Sequence, residues 1–230
     1  MKREFKVKSI PQCLKQYKST EDPNAVNYVT TSGRLYKELK EDGFSDYITE
    51  ILLDEEHPGL LFPEQIVYLN DQIKGFIKTK PVGTRLNRLN AKKTEMIDIL
   101  IALKIFERQL EEFSYNTGLS IYEMKAHNLL FTPDKRIVTV DIDNTQPVEY
   151  LGYESLPCFN NTIQLSRAVY PLFMNGKFKS KALQQIQREC LGEGYTKPSE
   201  FIYEALNIMD RYIDVNTLED YKNGLVLLRK

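Results

Sequence analysis

Apolar and polar residues along this chain follow two different rhythms. The first eighty residues hold short runs with strand-like alternation, and the following 150 shift to helical spacing. Residues 1 to 24 are polar and lysine-rich, with short strand-like pieces such as FKVKSI. AVNYVTTSGRLYKEL then reads as two β-branched and aromatic strands joined at Thr31-Ser32-Gly33, a hairpin signal. After KEDG, apolar Phe44, Tyr47, Ile48, Ile51 and Leu52 recur as one helical face, with Ser45 or Asp46 as cap. HPGLLFPEQ breaks that helix with two prolines and a glycine. The strands IVYLN and IKGFIKTK follow, flanking Asn70-Asp71-Gln72.

The texture changes at Pro81-Val82-Gly83. Met96, Ile97, Leu100, Ile101, Leu103, Phe106 and Leu110 sit largely at i, i+3, i+4 spacing and predict a helix over residues 94 to 113. Thr94 is its expected cap, and Asn116 to Gly118 its end. Residues 129–131 and 137–140 read as strands joined by the turn Thr132-Pro133-Asp134-Lys135. From Phe159 onward TIQLSRAVYPLF, KALQQIQREC and SEFIYEALNIMDRYI spell further helices. The expectation is an α+β chain: a β-rich part over 1–80 with one helix in a small antiparallel sheet, and a mainly helical part over 81–230.

Composition narrows the function classes. Apolar content of 42% and charged content of 27% suit a folded globular chain. A net charge of -1 provides no global field for nucleic acid or an anionic membrane, so neither is expected as a partner. Cys13, Cys158 and Cys190 are odd in number and far apart, which fits a reducing compartment better than a disulfide framework. MKREFKVKSIPQC lacks the apolar core of a signal peptide, and no apolar run approaches ~18 residues. A cytoplasmic location is therefore expected.

The densest run of chemistry-bearing residues is IYEMKAHNLLFTPDKRIVTVDID, residues 121 to 143. Phosphoryl transfer needs cations on the phosphates, oxygen ligands for Mg²⁺ and an acid that orients the acceptor hydroxyl. Glu123, Lys125 and Asn128 on one loop, followed by a hairpin ending at Asp141, offer that inventory. Folding back at residues 132–135 returns Asp141 toward Asn128. A carboxylate after the apolar run Val138-Thr139-Val140 is costly unless it is hydrogen-bonded or holds a metal. His57 and His127 are too far apart in sequence to suggest a metal site and read as structural.

The order and spacing of these residues resemble the protein-kinase-like fold, in a minimal, divergent form of bacterial type. In that family an acid, a lysine two residues later and an asparagine three further on form the catalytic loop. A metal-binding aspartate follows on the far arm of a hairpin. Here E-M-K-A-H-N supplies Glu123, Lys125 and Asn128, and D-I-D supplies Asp141 and Asp143. RLYK resembles the strand carrying the ATP-phosphate lysine, which assigns that role to Lys37. DYITEILL resembles the helix whose glutamate pairs with that lysine, with Glu50 as candidate. Residues 57 to 83 resemble the strands leading to the adenine-contacting hinge, at Thr79, Lys80 and Val82. The resemblance spans roughly residues 25 to 150.

It implies two lobes, ATP and Mg²⁺ as cofactors, and a hydroxyl acceptor on a protein Ser/Thr or on a small molecule. The protein acceptor is favoured by Lys125, which is typical of protein kinases. The chain departs from the family at several points. Glu123 replaces the catalytic aspartate and Ile121 the histidine two residues before it. Thr30-Thr31-Ser32-Gly33 stands where a glycine-rich loop belongs, and Asp143 replaces the glycine of Asp-Phe-Gly. These departures equally describe a pseudokinase acting as a binding or regulatory module.

Overall fold

A computed structural model describes residues 4–21, 25–40, 51–53, 55–122, 124–140, 142, 145–147, 157–192 and 194–229. They form an α+β protein with two compact units. One comprises Met1–Glu56 and Leu61–Pro81; the other comprises His57–Leu60 and Val82–Lys230.

The first unit is a six-stranded sheet made of β1 (Glu4–Val7), β2 (Tyr17–Glu21), β3 (Ala25–Val29), β4 (Leu35–Leu39), β5 (Gln65–Leu69) and β6 (Gln72–Lys78). Their order in the sheet is β1-β5-β6-β4-β3-β2. Five of the strands form antiparallel pairs, whereas β1 runs parallel to β5, with Phe5 opposite Val67 and Val7 opposite Leu69. The sheet is therefore mixed, which corrects the expectation of an antiparallel one. Alternation in FKVKSI signals a strand but says nothing about its direction. The polar lead-in is folded: Phe5, Val7, Ile10 and Leu14 cover one face of the sheet, against Tyr28, Tyr36, Val67 and Ile77.

Two hairpin turns among the described residues of this unit rest on left-handed backbone. Gly33 has φ +77° between β3 and β4, and Thr30 N–H donates to Arg34 O. Between β5 and β6, Asn70 and Asp71 have φ +53° and +64°, the pair of positive values that a two-residue hairpin with matching twist requires. Residues 51–53 are helical, with Leu52 buried; residues 41–50, and so Glu50, lie outside the described residues.

The second unit is built on the helix α1 (Met96–Thr117). Glu95, not Thr94, is its N-cap, and the Thr94 hydroxyl instead donates to Asn90 O. Gly118, with φ +69°, ends it and donates to Ser114 O. Phe106, Leu103 and Phe113 are fully buried, while Ile97, Ile101 and Ile105 are about half exposed. Helical spacing thus marked the buried side and also an apolar stripe that the fold leaves uncovered.

Short strands flank α1: β7 (Thr84–Arg85) before, and β8 (Leu119–Ile121), β9 (Leu129–Phe131), β10 (Ile137–Thr139) and β11 (Thr145–Pro147) after. They pair as β10-β9-β7 and β11-β8, all antiparallel. The helices α2 (Pro157–Phe173), α3 (Lys181–Gly192), α4 (Pro198–Met209) and α5 (Leu218–Leu228) complete the unit. Thr217 starts α5 with a reciprocal capping box to Asp220. Residues 57–60 belong here as well: Gly59 N–H donates to Gln109 Oε1 (2.6 Å), and Thr139 N–H donates to Gly59 O (2.8 Å). No helix among the described residues is long and apolar enough to cross a membrane.

Candidate functional site

Lys37 lies at the middle of β4, between Asn27 on β3 and Phe76 on β6. Side chains alternate across a strand, so Lys37 shares its face with Leu35 and Leu39 and opposes the face that the lead-in covers. It is 8% exposed, among the buried Ala25, Leu39 and Phe76 that form the apolar patch of that face. Gly75 lies opposite Glu38 across β4 and β6, and a Cβ there would press on the Lys37 carbonyl and stand 2.9 Å from the Tyr36 ring.

A second lysine occupies the same face. Lys78 pairs with Leu35 across β4 and β6, two positions along from the Lys37–Phe76 pair, and is 3% exposed. Diagonal neighbours of this kind lie about 7–8 Å apart. A buried ammonium group costs several kcal/mol unless an anion or a full set of acceptors faces it. Neither lysine is without a partner in the fold. In the sequence, Lys78 stands inside the expected strand IKGFIKTK with no role assigned to it. Its signal was present: Phe76 and Lys78 are spaced by two on a strand whose Phe76 side is buried.

Thr79 and Lys80 are exposed, and the Thr79 hydroxyl donates to Glu64, which also pairs with Arg34 at 2.9 Å. Val82 is 69% exposed and begins the second unit. Directly after it, Gly83 passes close to β9, where a Cβ would lie 2.8 Å from Phe131 O.

The loop between β8 and β9 carries the remaining candidates. Lys125 is exposed and accepts a hydrogen bond at its carbonyl from Asn128 N–H (2.9 Å); Asn128 is half-buried. The hairpin that follows closes at residues 132–135. Thr132 O accepts from Lys135 N–H, Thr132 N–H donates to Arg136 O, and Lys135 adopts φ +60°. Its register brings Val140 N–H to Asn128 O at 3.0 Å. The residue just before Asp141 is thus hydrogen-bonded to the asparagine backbone. Glu123, Asp141 and Asp143 lie outside the described residues; Ile142, between the two aspartates, is buried.

The loop's approach is fixed by Asn161, which is fully buried. Its Oδ1 accepts from Ile121 N–H (2.7 Å), and its Nδ2 donates to Ser114 Oγ (2.6 Å). One amide from α2 therefore ties β8 to α1 at the entrance to the loop. Asn161 escapes notice in the sequence because an amide inside an amphipathic run looks like a solvated position. His57 sits edge-on to Phe113 with 6.0 Å between ring centroids, which suits a structural role. Among the described residues no three His, Cys, Asp or Glu side chains group as a metal site.

No protein-family model matches the chain, and no curated protein matches it.

Proposed function

We propose that this protein is an ATP- and Mg²⁺-dependent phosphotransferase of the protein-kinase-like type, acting on a protein Ser/Thr hydroxyl. The observation that carries the reading is the burial of Lys37 in the middle of a sheet face beside the apolar Ala25, Leu39 and Phe76, on the strand where the family resemblance puts the phosphate-binding lysine. A polyphosphate fits that face, because a lysine there meets less water and holds an anion more strongly than it would on the surface. Bound ATP supplies the phosphoryl group, with Mg²⁺ offsetting its charge. In this reading Glu50 orients Lys37, Asn128 and Asp141 hold the metal with Asp143 beside them, and Thr79, Lys80 and Val82 border the base. Glu123 orients the acceptor hydroxyl and Lys125 contacts the transferred phosphate. The Val140–Asn128 hydrogen bond supports the pairing of Asn128 with Asp141. A small-molecule hydroxyl is the other acceptor this chemistry allows.

One observation favours a second reading, a pseudokinase acting as a binding or regulatory module. The turn between β3 and β4 is short and closed on itself: Gly33 N–H donates to Thr30 O, and Arg34 N–H donates to the Thr30 hydroxyl at 3.0 Å. Such a turn has little reach over a phosphate chain.

Thermal unfolding with ATP or ADP, with and without Mg²⁺, tests the nucleotide site. Ligand at 100 times its dissociation constant adds about 2.7 kcal/mol, a shift of several degrees at this size. A metal-dependent shift that disappears in Asp141→Ala is the expected result; no shift under any condition rejects the site. Labelled-phosphate transfer by wild type that is lost in Glu123→Gln then supports the enzyme. Nucleotide binding without transfer supports the binding module.

A further inference from the structure

We propose that residues 85–93 form a docking site for an extended acidic stretch of a partner protein, with Arg85 and Arg88 taking two of its carboxylates. The site lies apart from the residues of the nucleotide reading and stands whether or not the chain transfers phosphate.

The sequence repeats a triplet here: Arg85-Leu86-Asn87 is followed by Arg88-Leu89-Asn90. The fold gives this repeat a matching period, a single 3₁₀ turn over Leu86–Arg88. Such a turn holds three residues per revolution and rises about 2 Å per residue, so equivalent members of the two triplets stand one turn, or about 6 Å, apart. Leu86 is buried and Leu89 half-buried, whereas Arg85, Asn87, Arg88 and Asn90 are exposed. The leucines thus anchor the segment and leave both guanidinium groups in water.

The turn that follows adds Lys92 and Lys93, both exposed. Its backbone is held in place. Lys93 N–H and Thr94 N–H donate to Asn90 O at 3.0 Å, and Lys92 N–H donates to Asn90 Oδ1 at 3.2 Å. Glu219 N–H, at the start of α5, donates to Ala91 O at 3.0 Å. Between Asp71 and Glu95 the sequence contains no acid. Arg34, Arg108 and Arg136 each pair with a carboxylate of the chain. Among the described residues Arg85, Arg88, Lys92 and Lys93 pair with none. In a chain of net charge -1 these four cations are a local feature.

A planar guanidinium meets a carboxylate through two parallel hydrogen bonds, a geometry that an ammonium lacks. In an extended peptide alternate residues share a face and lie about 6.6 Å apart, close to the arginine spacing. Acids at alternate positions therefore meet Arg85 and Arg88 in succession, and acids beyond them meet Lys92 and Lys93. The backbone of the site is already fixed, so binding orders side chains alone. Each exposed ion pair contributes little and is screened by salt, so the site needs several acids at once. A single-stranded nucleic acid fits less well, because residues 82–94 hold no aromatic side chain on which a base could stack.

The test is fluorescence anisotropy with labelled peptides carrying four glutamates among threonines. The acids stand either at alternate positions or at every third position, where successive acids of an extended chain face opposite ways. Wild type is compared with Arg85→Gln/Arg88→Gln and with the control Arg211→Gln/Lys222→Gln, which removes the same charge from exposed positions elsewhere. Wild type should prefer the alternating peptide by about threefold or more. The arginine pair should lose about tenfold in affinity for it, and the control pair less than about twofold. Should the double variant fail to fold, Arg88→Gln alone, with an expected loss of about threefold, decides the question. No binding by wild type, or equal losses in the two pairs, overturns the site. Tighter binding of a single-stranded RNA of equal charge also overturns it, because the patch then takes a phosphate backbone in preference to carboxylates.

Discussion

The carboxylate of Glu107 accepts two hydrogen bonds from Ser199, one from its backbone N–H at 2.8 Å and one from its hydroxyl at 2.5 Å. Ser199 stands in the first turn of α4, so a side chain from α1 satisfies one of the backbone donors that every helix start leaves open. Burial raises the Glu107 carboxyl to about 7, against the pull of the two Ser199 hydrogen bonds and of Lys197, with Glu200 adding a further upward push.

This raised value makes stability depend on pH with a definite sign. In the unfolded chain Glu107 loses its proton near the ordinary carboxylate value, whereas in the fold it holds the proton to about 7. Its favourable contribution is fully present below about 4.5 and is lost as pH rises to about 7, by about 3 kcal/mol in all. Urea unfolding of wild type and Glu107→Gln at pH 4.5, 5.5, 6.5 and 7.5 checks it. The difference between the two proteins should change across this window and level off above it.

Asn161→Ala should destabilise the protein by roughly 2 kcal/mol, since it leaves the buried Ile121 N–H without its acceptor and removes a donor to the Ser114 hydroxyl, which still donates to Leu110 O. Denaturant midpoints measure the loss. Because Ile121 leads into the loop with Lys125 and Asn128, hydrogen exchange of residues 119–128 should rise more than that of α5.

Gly59→Ala should cost roughly 1–3 kcal/mol. The added methyl group would press on the Gln109 amide and lie 2.8 Å from the Phe106 ring and 3.1 Å from Ile137 O. A combined Gly59→Ala, Gln109→Ala variant frees part of that space, so in thermal unfolding its loss should be smaller than the sum of the two single losses.

The cysteines should separate by reactivity. Burial, followed by the carboxylates of Glu107, Glu200 and Glu189, pushes the Cys190 thiol up to about 12, and Cys13 is exposed. Thiolate is the reacting form, so a thiol reagent at pH 8 should label Cys13 quickly and Cys190 only on unfolding. Mass spectrometry of labelled peptides over time distinguishes the sites.

Local signals carried the hairpins well. Thr31-Ser32-Gly33 and Thr132 to Lys135 turn where they were expected to, since glycine, proline and aspartate act within a few residues. Helix α5 lies beyond the last expected helix, SEFIYEALNIMDRYI, although Thr217 and Asp220 form a capping box at its start. The direction of β1 and the burial of Lys78 depend on strands brought together from elsewhere in the chain. Glu107 shows the same limit in helical form: between Phe106 and Arg108 it reads as the polar side of α1, until Ser199 arrives from 92 residues away. Of the candidate site, the strand of Lys37 and the hairpin after Asn128 were legible, while Asn161 and Lys78 emerge only from the fold.

The segment Leu61–Pro81 leaves one unit at residue 60 and re-enters it at residue 82. Once residues 57–60 are clasped through Gly59, the strands β5 and β6 are a loop tethered at both ends. Tethering removes chain entropy before any strand pairs, much as a crosslink does. Pairing β5 with β6 therefore costs less chain entropy once the second unit holds residues 57–60 and 82 onward than it would in a free chain.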